Sequence, residues 1–167
     1  MVLISLYKVF VMLDGVCFCG SGVAYAGCCG RFHNGAIPAT AEELMRSRYS
    51  AFCCKDADYL IATIHADYCS SNLKEELVSN FNDVSWIQLK VIYTNKGSKS
   101  DIEGDVEFEA IYFTGGQFFR MVERSDFVKE GGRWLYCSGR VDDRKISKNE
   151  ICFCGSGLKF KRCHGAV

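Results

Sequence analysis

The sequence predicts an α+β fold: a curved antiparallel sheet wrapped around a long helix, cone-like in shape, with a small cysteine-rich knuckle at each end. Three observations carry this reading. Apolar residues recur at helical spacing over 40–65. From Val84 to about residue 140 the period changes to two, in consecutive runs joined by turn residues. Helices followed by consecutive strands are the pattern of an α+β domain. Finally, the two ends of the chain repeat one spacing of cysteines, CFCGSGVAYAGCCG at 17–30 and CFCGSGLKFKRCHG at 152–165.

The elements follow in order. Residues 1–16 form an apolar N-terminal segment. Residues 1–13 lack a basic start, are interrupted by Lys8 and end at a poor cleavage site, so a short packed segment or an over-extended start is expected rather than a signal peptide. Residues 17–30 form the first knuckle, and the main domain is expected over 31–140. Thr40-Ala41-Glu42-Glu43 reads as a capping box. Leu44, Met45, Tyr49, Phe52 and Cys53 then mark one helical face, with a break near Lys55-Asp56. A shorter helix is expected at 72–81. Ile87, Leu89, Val91 and Tyr93 alternate as one face of a strand, and 94–101 reads as a turn. Strands follow at 106–113, 117–128 and 133–140, linked by Thr114-Gly115-Gly116-Gln117 and Glu130-Gly131-Gly132. A basic linker is expected at 141–150 and the second knuckle at 151–167.

The knuckles carry the chemistry. Each reads C-x-C-x(8)-C-[CH]-G, giving Cys17, Cys19, Cys28 and Cys29 in one and Cys152, Cys154, Cys163 and His164 in the other. Thiolates and imidazole are the preferred ligands of tetrahedral zinc, and four protein ligands close a site with no position left for substrate. Two zinc ions per chain are expected, although iron suits the same sulfur-rich geometry. About fourteen residues cannot build a core, so metal would supply most of each knuckle's folding energy. Eleven cysteines cannot all pair within one chain, which favours a reduced, cytoplasmic setting over a secreted disulfide scaffold. C-x-C is not the C-x-x-C of redox sites. Cys53, Cys54, Cys69 and Cys137 show no metal spacing and read as small buried apolar residues.

Composition sets limits on function. With 49% apolar and 24% charged residues the chain can bury a core. No apolar run reaches the roughly 18 residues that span a bilayer, so an integral membrane protein is not expected. Basic and acidic residues balance at 20 each, which argues against a uniformly basic nucleic-acid binder. The balance conceals an uneven distribution. Residues 140–162 hold seven basic and three acidic residues, whereas 31–139 hold 12 basic and 16 acidic. The tail therefore suits an anionic surface.

The pattern CxCGSGxxxxxCHG resembles the SEC-C motif, the zinc-binding tail of the SecA preprotein translocase ATPase. Phe18 and Phe153 stand where that motif usually has proline, and Cys29 stands where the second copy has His164; neither change removes a ligand. The resemblance implies metal binding and docking onto a protein partner, a role that in SecA includes contact with the SecB chaperone and phospholipid; a SecB-like chaperone, the translocation machinery or the ribosome is the expected partner here. No phosphate-binding G-x-x-x-x-G-K-[ST] loop occurs, so the translocase motor itself is absent. Together with the flanking motifs, LMRSRYSAF (44–52), VEFEAIY (106–112), ERSDF (123–127) and GGRWLY (131–136) resemble the YchJ family of uncharacterised bacterial proteins. That likeness covers nearly the whole chain from Cys17. It implies a middle domain similar to the nuclear transport factor 2 superfamily, whose fold hosts enzymes and binding modules alike.

A cone of this kind has a pocket between helix and sheet. Arg48, Tyr49, His65, Glu107 and Trp134 are the candidates to line it, with Arg46, Glu109, Glu123, Arg124 and Tyr136 as further polar or aromatic neighbours. His65 is the simplest general base, yet no catalytic constellation emerges and no catalytic residue is assigned. A binding adaptor is therefore the expected function, with a peptide or small ligand in the pocket. A small-molecule isomerase or dehydratase braced by the knuckles is the alternative. A buried acid or histidine in a deep apolar pocket would favour that alternative, and a pocket filled by Phe108, Tyr112 or Phe119 would oppose it.

Overall fold

The computed structural model describes residues 15–166. The apolar reading of residues 1–13 lies outside them. The described chain forms four strands and four short α-helices. Helix α1 (Cys29–His33) leaves the first knuckle. Helices α2 (Ala41–Cys54), α3 (Ala57–Ala62) and α4 (Leu73–Asn80) precede the sheet.

Local chemistry sets the helix ends. Thr40 Oγ1 accepts from Glu43 N at 3.1 Å, and Glu43 Oε2 accepts from Ala39 N at 2.6 Å, so the capping box reaches one residue further back than the usual pattern. The break expected near Lys55-Asp56 is present. Lys55 takes a left-handed conformation at φ 63°, and Asp56 caps α3 through Tyr59 N at 2.9 Å. The long helix of the sequence reading is thus two, turned against each other at that point.

The strands are β1 (Ser85–Lys96), β2 (Glu103–Thr114), β3 (Gln117–Glu130) and β4 (Arg133–Lys145). They pair antiparallel in chain order. Three differences from the sequence reading have physical causes. Lys96 belongs to β1, because the turn expected at 94–101 is tightened to 97–102 by Gly97 at φ 78°. The face expected from Ile87, Leu89, Val91 and Tyr93 is interrupted by bulges at Trp86/Gln88 and Val91/Tyr93. Each bulge inserts a residue and flips the alternation, so Trp86 and Leu89 point to the core while Ile87 and Tyr93 are exposed. Finally, β4 runs on to Lys145, pairing Arg144 with Arg120 and Lys145 with Phe119, so half of the basic linker expected at 141–150 is strand.

The main core lies between α2 and one face of the sheet. Leu44, Met45, Tyr49 and Cys53 meet Leu89, Val106, Phe108, Ala110, Phe127 and Trp134 there. Of the cysteines outside the knuckles, Cys53 and Cys137 are buried, whereas Cys69 is exposed. No helix among the described residues is long and apolar enough to cross a membrane.

Candidate metal centres and the central cavity

The two knuckles fold alike because their sequences make the same local bonds. Cys17 N donates to Val23 O and Cys152 N to Leu158 O, both at 2.8 Å. Cys28 N and Cys163 N return to the carbonyls of Tyr25 and Phe160. Gly20, Gly22, Gly155 and Gly157 all have φ between 72° and 79°, which is why the GSG turn is spelled with glycines. The last glycine of each copy has a different role. A Cβ on Gly30 would stand 2.7 Å from Tyr25 O, and one on Gly165 would stand 2.5 Å from the Phe160 ring. The aromatic at that offset therefore packs straight onto the closing glycine.

These turns bring the eight expected ligands into two groups. The donor atoms of Cys17, Cys19, Cys28 and Cys29 lie within 4.8 Å of one another, and so do those of Cys152, Cys154, Cys163 and His164. Cys19 Sγ–Cys28 Sγ and Cys154 Sγ–Cys163 Sγ are each 3.6 Å. His164 directs Nδ1 to Cys152 Sγ at 3.2 Å and to Cys163 Sγ at 3.4 Å. A tetrahedron with bonds of about 2.3 Å has edges of about 3.7 Å, so the donor sets fit a four-coordinate ion. Each group can hold a metal ion. Crowded thiols also share protons unevenly. Hydrogen bonds from Cys19 and Cys29 hold Cys17 down to about 3 against its burial, while the hydrogen bonds of Cys17 and Cys19 push Cys29 far up. In the second group the Ser156 hydroxyl draws Cys154 down to about 6. The serines of the two GSG turns approach the third donor, Ser21 Oγ at 3.2 Å from Cys28 Sγ and Ser156 Oγ at 3.6 Å from Cys163 Sγ. Such bonds orient ligands and temper their charge. Their matching offset in the two copies was the signal for them in the sequence.

The surroundings differ sharply. Cys17, Cys19 and Cys29 are 3%, 0% and 1% exposed and belong to the main core beside α2. Arg46 donates to Cys19 O at 2.9 Å, and a Cβ on Gly20 would lie 3.1 Å from Leu89 O. Tyr25 donates to His33 Nδ1 at 2.6 Å, and His33 Nε2 donates to Ser47 O at 2.9 Å, which ties the knuckle to the middle of α2. The second knuckle rests on the opposite face of the sheet. Ile111, Ile146, Cys152 and Phe160 form its buried contact, with Phe118 and Phe153 alongside. Cys154 is exposed.

Between α2 and the sheet lies a cavity of about 340 Å³. Arg48 and Tyr49 line it, together with Glu123, Ser125 and Tyr136; His65, Glu107 and Trp134 lie elsewhere. Glu107 alternates with Val106 and Phe108, which face the core, and so is carried to the other face opposite Arg124. His65 caps the turn after α3: its Nδ1 accepts from Asp67 N and its Nε2 donates to Glu130 Oε1 at 3.2 Å. Trp134 is buried and donates to Ala39 O at 3.1 Å. Phe108 reaches the wall without filling the space, and Tyr112 and Phe119 stack on each other away from it. Arg48 Nη1 donates to Leu60 O and Thr63 Oγ1, both at 2.7 Å, and its guanidinium covers the Tyr136 ring at 4.6 Å. Burial pulls Arg48 down to about 10, still charged at neutral pH. Burial, with Glu123 adjacent, pushes the Tyr136 hydroxyl up to about 12, so it remains a donor.

Fold and sites together define a nuclear-transport-factor-2-like domain carrying a cysteine-rich metal-type knuckle on each face. Comparison with known proteins agrees. The model of the YchJ middle domain, NTF2-like, matches residues 40–139, and that of the SEC-C motif matches residues 149–166. A UPF0225 protein of Enterobacter sp. (strain 638) is 40% identical over 151 residues, covering 90% of this chain and 97% of that protein. The chain belongs to this family, YchJ or UPF0225. The solution structure of a SEC-C motif containing protein from Rhodopseudomonas palustris is similar, at a TM-score of 0.65 and 32% identity, over 74% of this chain and 96% of that one. A crystal structure of a SEC-C motif containing protein from Psychrobacter arcticus has a TM-score of 0.62 and 28% identity, over 95% of this chain and 99% of that one.

Proposed function

We propose that this is a cytoplasmic zinc protein, two ions per chain, that acts as a docking adaptor through its second knuckle while the first braces the core. Cys17, Cys19, Cys28 and Cys29 would hold one ion and Cys152, Cys154, Cys163 and His164 the other, with zinc favoured over iron by the closed, sulfur-rich sets. The observation that carries the docking role is the asymmetry of the two sites. The second knuckle, with the strand end and linker leading into it, presents Lys145, Lys148, Lys159, Lys161 and Arg162 as exposed cations, none in an ion pair among the described residues. The first has no lysine between its ligands and three of them buried. An acidic protein surface, such as a SecB-like chaperone or part of the translocation machinery, or the ribosome, suits the exposed cationic knuckle.

The test is titration of the metal-loaded chain with a purified SecB-like chaperone and co-sedimentation with purified ribosomes. Binding to one of them is expected, lost in Cys163→Ser and in a Lys159→Glu, Lys161→Glu, Arg162→Glu variant, with tryptophan fluorescence unchanged in both. Retention of binding in both variants removes the docking role. Elemental mass spectrometry on untagged protein should give two zinc ions per chain.

The alternative, a small-molecule enzyme, is favoured by one observation: the cavity is open, apolar and holds the half-buried acid Glu123. Turnover of an isomerase or dehydratase substrate that is lost in Glu123→Gln would establish it.

A further inference from the structure

The central cavity belongs to neither knuckle, and its two charged groups leave hydrogen-bonding capacity unused. Arg48 commits Nη1 to Leu60 O and Thr63 Oγ1, and among the described residues Nε and Nη2 make no hydrogen bond. Nor are those atoms sealed away, since Arg120 Nε is the one described side-chain nitrogen or oxygen that is both buried and unpartnered. Glu123 receives the hydroxyls of Ser125, at 2.6 Å, and Tyr136, at 3.4 Å, on Oε1 alone. Oε2 has no donor among the described residues and is likewise not sealed. Arg48 and Glu123 feel each other's charge without closing as an ion pair.

The backbone is shaped to keep Glu123 there. A Cβ on Gly139 would stand 2.2 Å from Glu123 Oε1 and 2.9 Å from the Tyr136 hydroxyl, so glycine makes room for the carboxylate. Most of the rest of the wall is apolar, including Met45, Phe52, Leu77, Trp86 and Phe108. About 340 Å³ falls in the range of small-molecule sites, roughly 300–1,000 Å³.

A charged group in an apolar wall is costly unless something meets it. An anionic head would satisfy Arg48 and be repelled by Glu123, and a cationic head would suffer the reverse. A head with no net charge that carries an acceptor beside a donor satisfies both. We propose that the central cavity binds a small, mainly apolar molecule with a carboxamide-type head, its carbonyl accepting from Arg48 and its N–H donating to Glu123. This site is independent of the docking role of the second knuckle.

The experiment titrates the full metal-loaded chain with three probes that share a body: 3-phenylpropanamide, 3-phenylpropanoate and 3-phenylpropylamine. Protein NMR reads affinity and location, through the Trp86 indole and the Met45 and Met121 methyls. The amide is expected to bind about tenfold more tightly than either charged probe, shifting those signals. Glu123→Gln removes the anion and keeps the size, so the carboxylate should gain about tenfold relative to the amide. Arg48→Met should favour the amine; because Arg48 also ties α2 to α3, the proposal stands on the Glu123 variant. Equal affinity for the three heads, binding away from Trp86, no binding of any probe at millimolar concentration, or an unchanged order in Glu123→Gln would each overturn it.

Discussion

Cys19 and Cys154 occupy the same place in the repeated spacing, yet the fold gives them different consequences. Cys19 is fully buried beside Tyr49 and Leu89, whereas Cys154 is exposed. Cys19→Ser takes a thiol from the first donor group and leaves a hydroxyl in the core, for an expected loss of about 3 kcal/mol or more in urea unfolding followed by tryptophan fluorescence. Cys154→Ser should cost the central domain less than about 1 kcal/mol by the same measurement, because Trp86 and Trp134 report on a core that does not contain it. The two four-donor groups were legible in the sequence because their spacing is a local property. The pocket was only half legible: Arg48 and Tyr49 line it, but Glu123, Ser125 and Gly139 act there through cross-strand placement that no spacing rule encodes.

At the scale of elements, the turn between β1 and β2 locks the start of α2 to the sheet. Gly97 O accepts from Ala41 N at 2.9 Å, and Cβ atoms on Gly97 or Gly104 would stand 2.7 Å from Ala41 Cβ and 2.5 Å from Gly97 Cα. Gly104→Ala should therefore destabilise by about 1–3 kcal/mol through overpacking, measured as a fall in Tm with metal occupancy unchanged. Helix existence, the break at Lys55-Asp56 and the two strand hairpins at 114–117 and 130–133 were readable, because caps and glycine turns are written in a few adjacent residues. The faces of β1 were not. Its two bulges depend on pairing with β2, so a simple alternation put Ile87 and Tyr93 on the side of Leu89.

At the scale of the whole molecule, the two knuckles sit on opposite faces of one sheet and differ in access. A chromophoric chelator should therefore remove metal in two phases. The fast phase would come from Cys152, Cys154, Cys163 and His164 and be absent in Cys154→Ser. The slow phase would follow opening of the core around Cys17, Cys19 and Cys29, and accelerate in urea along with unfolding. A single phase from wild-type protein would contradict this ordering. The α+β class, the caps and turns, and the two repeated cysteine groups could be read from the chain alone, since each follows from contacts between near neighbours. That one copy is built into the core while the other is left on the surface, and that Arg48 and Glu123 share a cavity, emerged from the packed fold. Those outcomes depend on which faces of α2 and the sheet meet, and that is settled by long-range packing rather than by any local pattern.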